Sequence, residues 1–115
     1  RAYQPFEDKE DGLLPYRFSI VIENVQERDY FTEKLVDCCL CSTVPIYWGP
    51  ENIGDFFDTN GIITFNTVEE LTNILANLTK EDYNERIQDM EANHKKAQYL
   101  SNRDNRGIKA LRDRL

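Results

Sequence analysis

At 115 residues the chain is one domain or a piece of one, long enough to bury a real core. Apolar residues make up 40% and charged residues 30%, with a net charge of −7. That balance argues against non-specific nucleic-acid binding and against docking on an anionic membrane, which both draw affinity from clustered Lys and Arg. A nucleotide ligand stays open, because one or two local cations outweigh a diffuse negative field.

Residues 1–16 are acidic and punctuated by Pro5, Gly12 and Pro15, and read as a linker or lead-in. Glu7, Asp8, Lys9, Glu10 and Asp11 interrupt any signal-peptide pattern, and no run approaches the ~20 apolar residues of a membrane span. A cytoplasmic location is favoured, although a chain opening on Arg1 rather than Met is expected to be an excised fragment, with room for an upstream anchor. Phe18–Ile22 is a predicted strand, nearly continuous in apolar residues as buried parallel strands are. Val25–Arg28 is a short loop, and Asp29 is the predicted N-cap of a helix running to about Cys41. Phe31, Leu35, Val36, Cys38 and Cys39 give that helix a wide buried face.

Thr43–Tyr47 is a second strand, stopped by Trp48-Gly49-Pro50, and residues 51–57 form a brief helical turn. Gly61–Phe65 is a third strand. Thr67 opens a helix to Leu78 in the capping-box pattern Thr67-Val68-Glu69-Glu70. Thr79 caps a further helix, on which Tyr83, Ile87, Met90, His94 and Ala97 share one stripe. Ile108, Leu111 and Leu115 repeat the spacing after an interruption at 102–107. The stripe is either a homodimerisation face or packing on the chain's own domain.

Alternating strands and helices with short connections predict an α/β fold, a Rossmann-like parallel sheet with flanking helices. The expected division is a lead-in at 1–16, a core at 17–79 and a solvated helical arm at 80–115. Three strands are few for such a sheet, so the chain is expected to supply part of a larger lobe.

Cys38, Cys39 and Cys41 lie too close together for a disulfide framework, and read as small, reduced, buried packing residues. Cys38 and Cys41 share a helix face, which leaves a partial metal site as the alternative. The sequon Asn77-Leu78-Thr79 matters only in a secreted chain. His94, far down the last helix, is read as a packing or surface residue rather than a catalyst. Trp48 either lines a pocket or plugs the sheet.

The segment Tyr30-Phe31-Thr32-Glu33-Lys34 carries a Glu-Lys pair at a helix start that follows a strand ending in Glu23-Asn24. Ligands of open parallel sheets bind beyond the carboxyl ends of the strands. There a helix N-terminus offers free N–H groups, Lys34 a full positive charge and Glu33 an acceptor for a sugar diol. The alternative is that Glu33 and Lys34 are ordinary surface charges and Asn24 shapes a turn. No Gly-rich phosphate loop is present.

Ile22-Glu23-Asn24-Val25, Asp29-Tyr30-Phe31-Thr32-Glu33-Lys34 and Thr43-Val44-Pro45-Ile46-Tyr47-Trp48-Gly49 together resemble the signature of the alpha-1,3/1,4-fucosyltransferase family. The resemblance covers about half the chain closely and continues weakly through Asn52-Ile53 and Phe65-Asn66. It implies part of the C-terminal donor lobe of a GT-B transferase, in which two Rossmann-like lobes flank the active site. It implies GDP-fucose as donor substrate, a glycan acceptor held by an upstream lobe, inversion at the anomeric carbon and no obligatory metal cofactor. By position, Glu33 takes the ribose hydroxyls, Lys34 the diphosphate, and Asn24 and Tyr30 the fucose or phosphate side, with Arg17 as a weak phosphate helper. Val25 stands where the family has Ser. The family's carboxylate base and phosphate-binding Arg lie upstream of the matched segment, so no catalytic residue is expected in this chain. A scaffold module that keeps the fold without catalysis is the rival reading, and a transferase using another nucleotide sugar is the third.

Overall fold

The structure, a computed structural model, describes residues 17–103, so the lead-in and the stripe from Ile108 lie outside the described residues. Phe18–Ile22 forms β1, Val44–Trp48 forms β2 and Ile63–Thr64 forms β3, in one parallel sheet of order β1-β2-β3. Phe18 is opposite Val44 and Ile22 opposite Trp48, while Ile46 is opposite Ile63. Alternate side chains feed two cores, as in any sheet covered on both faces. Val21 and Tyr47 join Phe31, Leu35, Val36, Ile53 and Phe57 on one side. Phe18, Val44 and Ile46 join Phe65 and Met90 on the other, with Trp48 half-buried beside them. β3 is shorter than the predicted Gly61–Phe65 because Thr59–Gly61 closes into a 3-10 turn capped by the Asp58 side chain.

The first helix, α1 (Glu33–Leu40), is capped by Thr32 and not by Asp29. Asp29 sits at φ 69°, in the left-handed region that Asp tolerates, and so cannot lead into a helix. Its amide donates to Asn52 Oδ1 at 2.9 Å and its carboxylate accepts from Asn52 Nδ2 at 2.7 Å, a contact between residues 23 positions apart. Thr32 takes over because its hydroxyl accepts from Lys34 N at 3.2 Å.

Helix α2 (Val68–Asn77) begins at Thr67 as predicted, with half of the box: Thr67 Oγ1 accepts from Glu70 N, while the Glu70 carboxylate accepts from Asn66 N. The reciprocal box forms instead at Thr79 and Asp82, ahead of α3 (Lys80–Asn84). A single helix from Thr79 onward does not form. Arg86 N donates to Tyr83 O, and its guanidinium takes the Asp82 carbonyl at 2.7 Å, the acceptor that a continuous helix would use. The chain restarts as α4 (Ile87–Arg103).

The stripe survives this break and corrects the expectation of a solvated arm. Tyr83 meets Phe18 edge-on at 6.0 Å, Met90 and Ala97 are buried, and His94 Nδ1 lies 3.1 Å from Cys39 O. These residues pack on their own domain, which removes the stripe as an argument for a homodimer. Asn93 fastens the same helix from within, accepting from Asp58 N at 2.7 Å and donating to Asp58 O at 2.9 Å. No helix of the described residues is long and apolar enough to cross a membrane.

Cys38 and Cys39 are buried, but Cys41 is exposed at the C-cap of α1, so only two of the three are packing residues. Cys38 Sγ lies 3.0 Å from Thr43 Oγ1, and no group of three metal-ligating side chains occurs among the described residues. Burial pushes the Cys39 thiol up to about 12 and raises Cys38 as well. Thiolate is the reactive form. We therefore expect iodoacetamide at pH 8 to label Cys41 alone in the folded protein and all three cysteines in urea, read by mass spectrometry.

Candidate functional site

The carboxyl end of β1 turns outward at residue 23, and the pleat decides what happens there. Glu23 falls on the Val21 side, beneath α1, and Asn24 on the outer side. Glu23 is 2% exposed, and its carboxylate accepts three hydrogen bonds. They come from Thr32 N at 3.1 Å, Thr32 Oγ1 at 2.7 Å and the Tyr47 hydroxyl at 2.7 Å. Three donors on one carboxylate satisfy a buried acid without a cation. The Tyr47 phenol is pushed upward from its ordinary value by burial, by its bond to Glu23 and by that residue's charge.

This knot ties the end of β1, the cap of α1 and the middle of β2 together. Asn24 and Lys34 stand on either side of it. Lys34 Nζ reaches Asn24 Oδ1 at 3.4 Å and Ile22 O at 3.5 Å, so the ammonium lies over the carboxyl end of β1. Both contacts are long, both are exposed, and an ammonium has three N–H donors. The arrangement presents a compact positive charge beside an amide at the sheet edge where ligands of parallel sheets bind.

The helix start itself contributes less than the sequence suggests. Thr32 N is taken by Glu23, Lys34 N by Thr32 Oγ1 and Leu35 N by Thr32 O. The chain's own groups thus satisfy most of the helix-end donors, and the positive charge of the site rests on the Lys34 side chain. Glu33 is half-buried at the first position of α1. Tyr30 is 7% exposed, so its ring offers little surface beside the exposed Asn24 and Lys34. Arg17 precedes β1 and therefore sits at the opposite end of the strand, about 15 Å away at ~3.3 Å per residue. Its guanidinium lies 5.9 Å from the centre of the Tyr83 ring, and it is not part of this site.

Beside the site lies a cleft of about 250 Å³ whose lining includes Gln26, Tyr47, Gly49, Glu51, Thr64 and Asn66. Gln26 Nε2 donates to Asn66 Oδ1 at 3.0 Å across it. Trp48 is half-buried and packs against the core of Phe18, Val44 and Ile46. Sequence reasoning quoted Glu23, Thr32, Tyr47 and Asn52 within the motifs of the resemblance but gave none of them a role in the site. For Glu23 a signal existed: strand alternation places it on the same face as Val21, under a helix, where a lone carboxylate needs donors.

The chain is similar to known proteins of one family. The description "Glycosyltransferase family 10 (fucosyltransferase) C-term" matches residues 3–103. The chain is 34% identical over 56 residues to an alpha-(1,3)-fucosyltransferase FucT of Helicobacter pylori, covering 49% of this chain and 12% of that protein. It is 43% identical over 49 residues to a fucosyltransferase-like protein of Arabidopsis thaliana, covering 43% of this chain and 10% of that one. An alpha-(1,4)-fucosyltransferase of the same plant is 35% identical over 63 residues, covering 52% and 16%. The chain thus matches only a small part of these relatives' own lengths, and no solved structure gives a significant match. A match that runs through all the described residues, with the sheet, the Glu-Lys helix and the Tyr-Trp-Gly strand inside it, decides the family: the chain belongs to glycosyltransferase family 10, the fucosyltransferases, as part of their C-terminal domain.

Proposed function

We propose that this chain is the donor-binding part of a fucosyltransferase-like glycosyltransferase, taking a GDP-fucose-type nucleotide sugar at the carboxyl edge of its sheet. The observation that carries the reading is Lys34 Nζ poised beside Asn24 over the end of β1. In this reading Lys34 meets the diphosphate, Asn24 supplies an amide to the phosphate or sugar, and Glu33 accepts from the ribose hydroxyls. Tyr30 is buried and offers the donor little surface.

In transfer, the acceptor hydroxyl oxygen bonds to the anomeric carbon as the bond from that carbon to the diphosphate breaks. The departing electron pair goes to the diphosphate, and the hydroxyl proton goes to a base that an upstream lobe would supply. Lys34 stabilises the charge that grows on the leaving group, where a fixed cation has most effect.

The test is titration calorimetry with GDP on the 115-residue chain and on Lys34→Ala. GDP is expected to bind the native chain and to lose about tenfold or more in the variant, as removal of a charge-assisted contact does. Absence of heat with the native chain, or equal affinity in the variant, would reject the site.

A further inference from the structure

We infer that Glu23 is the positioning residue of this site: its buried carboxylate holds Asn24 and Lys34 opposite each other for the donor diphosphate. The inference rests on the donor-binding reading and adds a residue that makes no contact with the ligand.

The argument begins with what closes the loop between β1 and α1. The Phe31 ring and the Gln26 amide tie residues 24–31 to Phe56, Phe57 and Asn66, away from the Asn24–Lys34 pair. Tyr30 N donates to Glu27 O, and Asn52 pins Asp29 from outside. The two ends of the loop meet at Glu23 and Thr32, joined by the bonds at 3.1 and 2.7 Å. Asn24 follows one end directly, and Lys34 lies two residues beyond the other. The same Thr32 hydroxyl that donates to Glu23 accepts from Lys34 N, so the orientation of the first helical turn is set through Glu23. Tyr47 fixes the carboxylate from the third side, and all three groups are buried.

The two other restraints on the Lys34 ammonium are long and exposed, at 3.4 and 3.5 Å. They cannot by themselves hold a side chain with this much rotamer freedom. The buried bonds are short, charge-assisted and shielded from water, and therefore dominate the placement. Glutamine at position 23 keeps the shape but offers one carbonyl where the carboxylate has two oxygens, and turns an NH₂ toward a donor. With its oxygen toward Thr32 N and the Tyr47 hydroxyl, the amide keeps those two bonds and turns its NH₂ to the Thr32 hydroxyl, so the bond that Glu23→Gln loses is the one to the cap of α1.

The experiment compares GDP and guanosine affinities of the 115-residue chain, Glu23→Gln, Lys34→Ala and Glu23→Gln/Lys34→Ala by calorimetry. Glu23→Gln is expected to weaken GDP about tenfold while leaving guanosine, which has no phosphate, unchanged. In the Lys34→Ala background the same change should have an effect below about twofold, since residues acting through one group are not additive. Equal GDP losses in both backgrounds, or equal losses for guanosine, would mean that Glu23 serves the fold alone and would overturn the inference. Tyr47→Phe by itself removes one bond only and gives a graded reading should Glu23→Gln fail to fold. Nitrogen-15 resonances of the Asn24 side-chain amide and the Lys34 ammonium in ligand-free protein supply a readout independent of nucleotide. Both are expected to shift in Glu23→Gln, and unchanged resonances would overturn the positioning role. If the native chain binds no GDP while these resonances shift, the donor-binding reading has failed and the positioning of Asn24 and Lys34 by Glu23 stands.

Discussion

Gly49→Ala is expected to destabilise the domain by about 3 kcal/mol, although it adds a single methyl group in a loop. The backbone of Gly49 is outside the left-handed region, so the obstacle is space and not conformation. A Cβ there would lie 2.5 Å from Cζ and 2.6 Å from Cε2 of Tyr47, and against its hydroxyl. Tyr47 is 1% exposed, and a ring that tilts into the neighbouring cleft carries its hydroxyl away from the Glu23 carboxylate. Overpacking of that kind costs about 1–3 kcal/mol, and a tilted ring also gives up its bond to the Glu23 carboxylate, worth about 1.5–3 kcal/mol. Urea unfolding checks the sum. The diagnostic is the background: in Tyr47→Ala, where the ring is gone, Gly49→Ala should cost less than about 1 kcal/mol. Equal costs in the two backgrounds would show that the obstacle is not the ring. The Trp-Gly step of the second strand thus reads as a space requirement of the Glu23 knot.

How much of this was legible in the sequence depends on the range of the interaction. β1, β2 and α2 follow from local pattern, and their predicted starts lie within a residue or so of the observed ones. The cap of α1 was displaced because Asp29 is committed to Asn52, 23 positions away, and no window of the sequence shows that. The break before α4 had a local cause, but one hidden in a rotamer, the Arg86 guanidinium on the Asp82 carbonyl. The convergence of Asn24 and Lys34 was legible from strand direction alone, since the end of a strand and the start of the next helix share an edge. The same rule applied to Arg17 places it at the far edge, and the structure holds it there against Tyr83. The burial of Tyr30 was not legible, because a tyrosine beside a ligand-binding pair serves equally well above or beneath its loop. Glu23 lay between these cases: alternation gave its face, while its three donors come from residues 32 and 47 and appear only once the sheet is built.

Phe31→Ala is expected to produce the largest loss of all, about 3–5 kcal/mol, and to carry the candidate site with it. Phe31 is 1% exposed, and its ring centre lies 5.0 Å from Phe56 and 5.5 Å from Phe57, the latter edge-on. Those two rings follow the 3-10 turn Ile53–Asp55, so Phe31 is the apolar anchor that fastens the β1–α1 loop to the segment after β2. It is also the residue before Thr32, and a cavity there loosens the cap on which Glu23 and Lys34 depend. Phe31→Leu retains most of the volume and should cost less than about 1.5 kcal/mol, with GDP affinity kept. Phe31→Ala should lose stability and, at temperatures where it is still folded, nucleotide affinity as well. Urea titration combined with calorimetry separates the two effects. If Phe31→Ala lost stability but bound GDP as the native chain does, the anchor would serve the core only, and the rigidity of the site would have to come entirely from the buried bonds of Glu23.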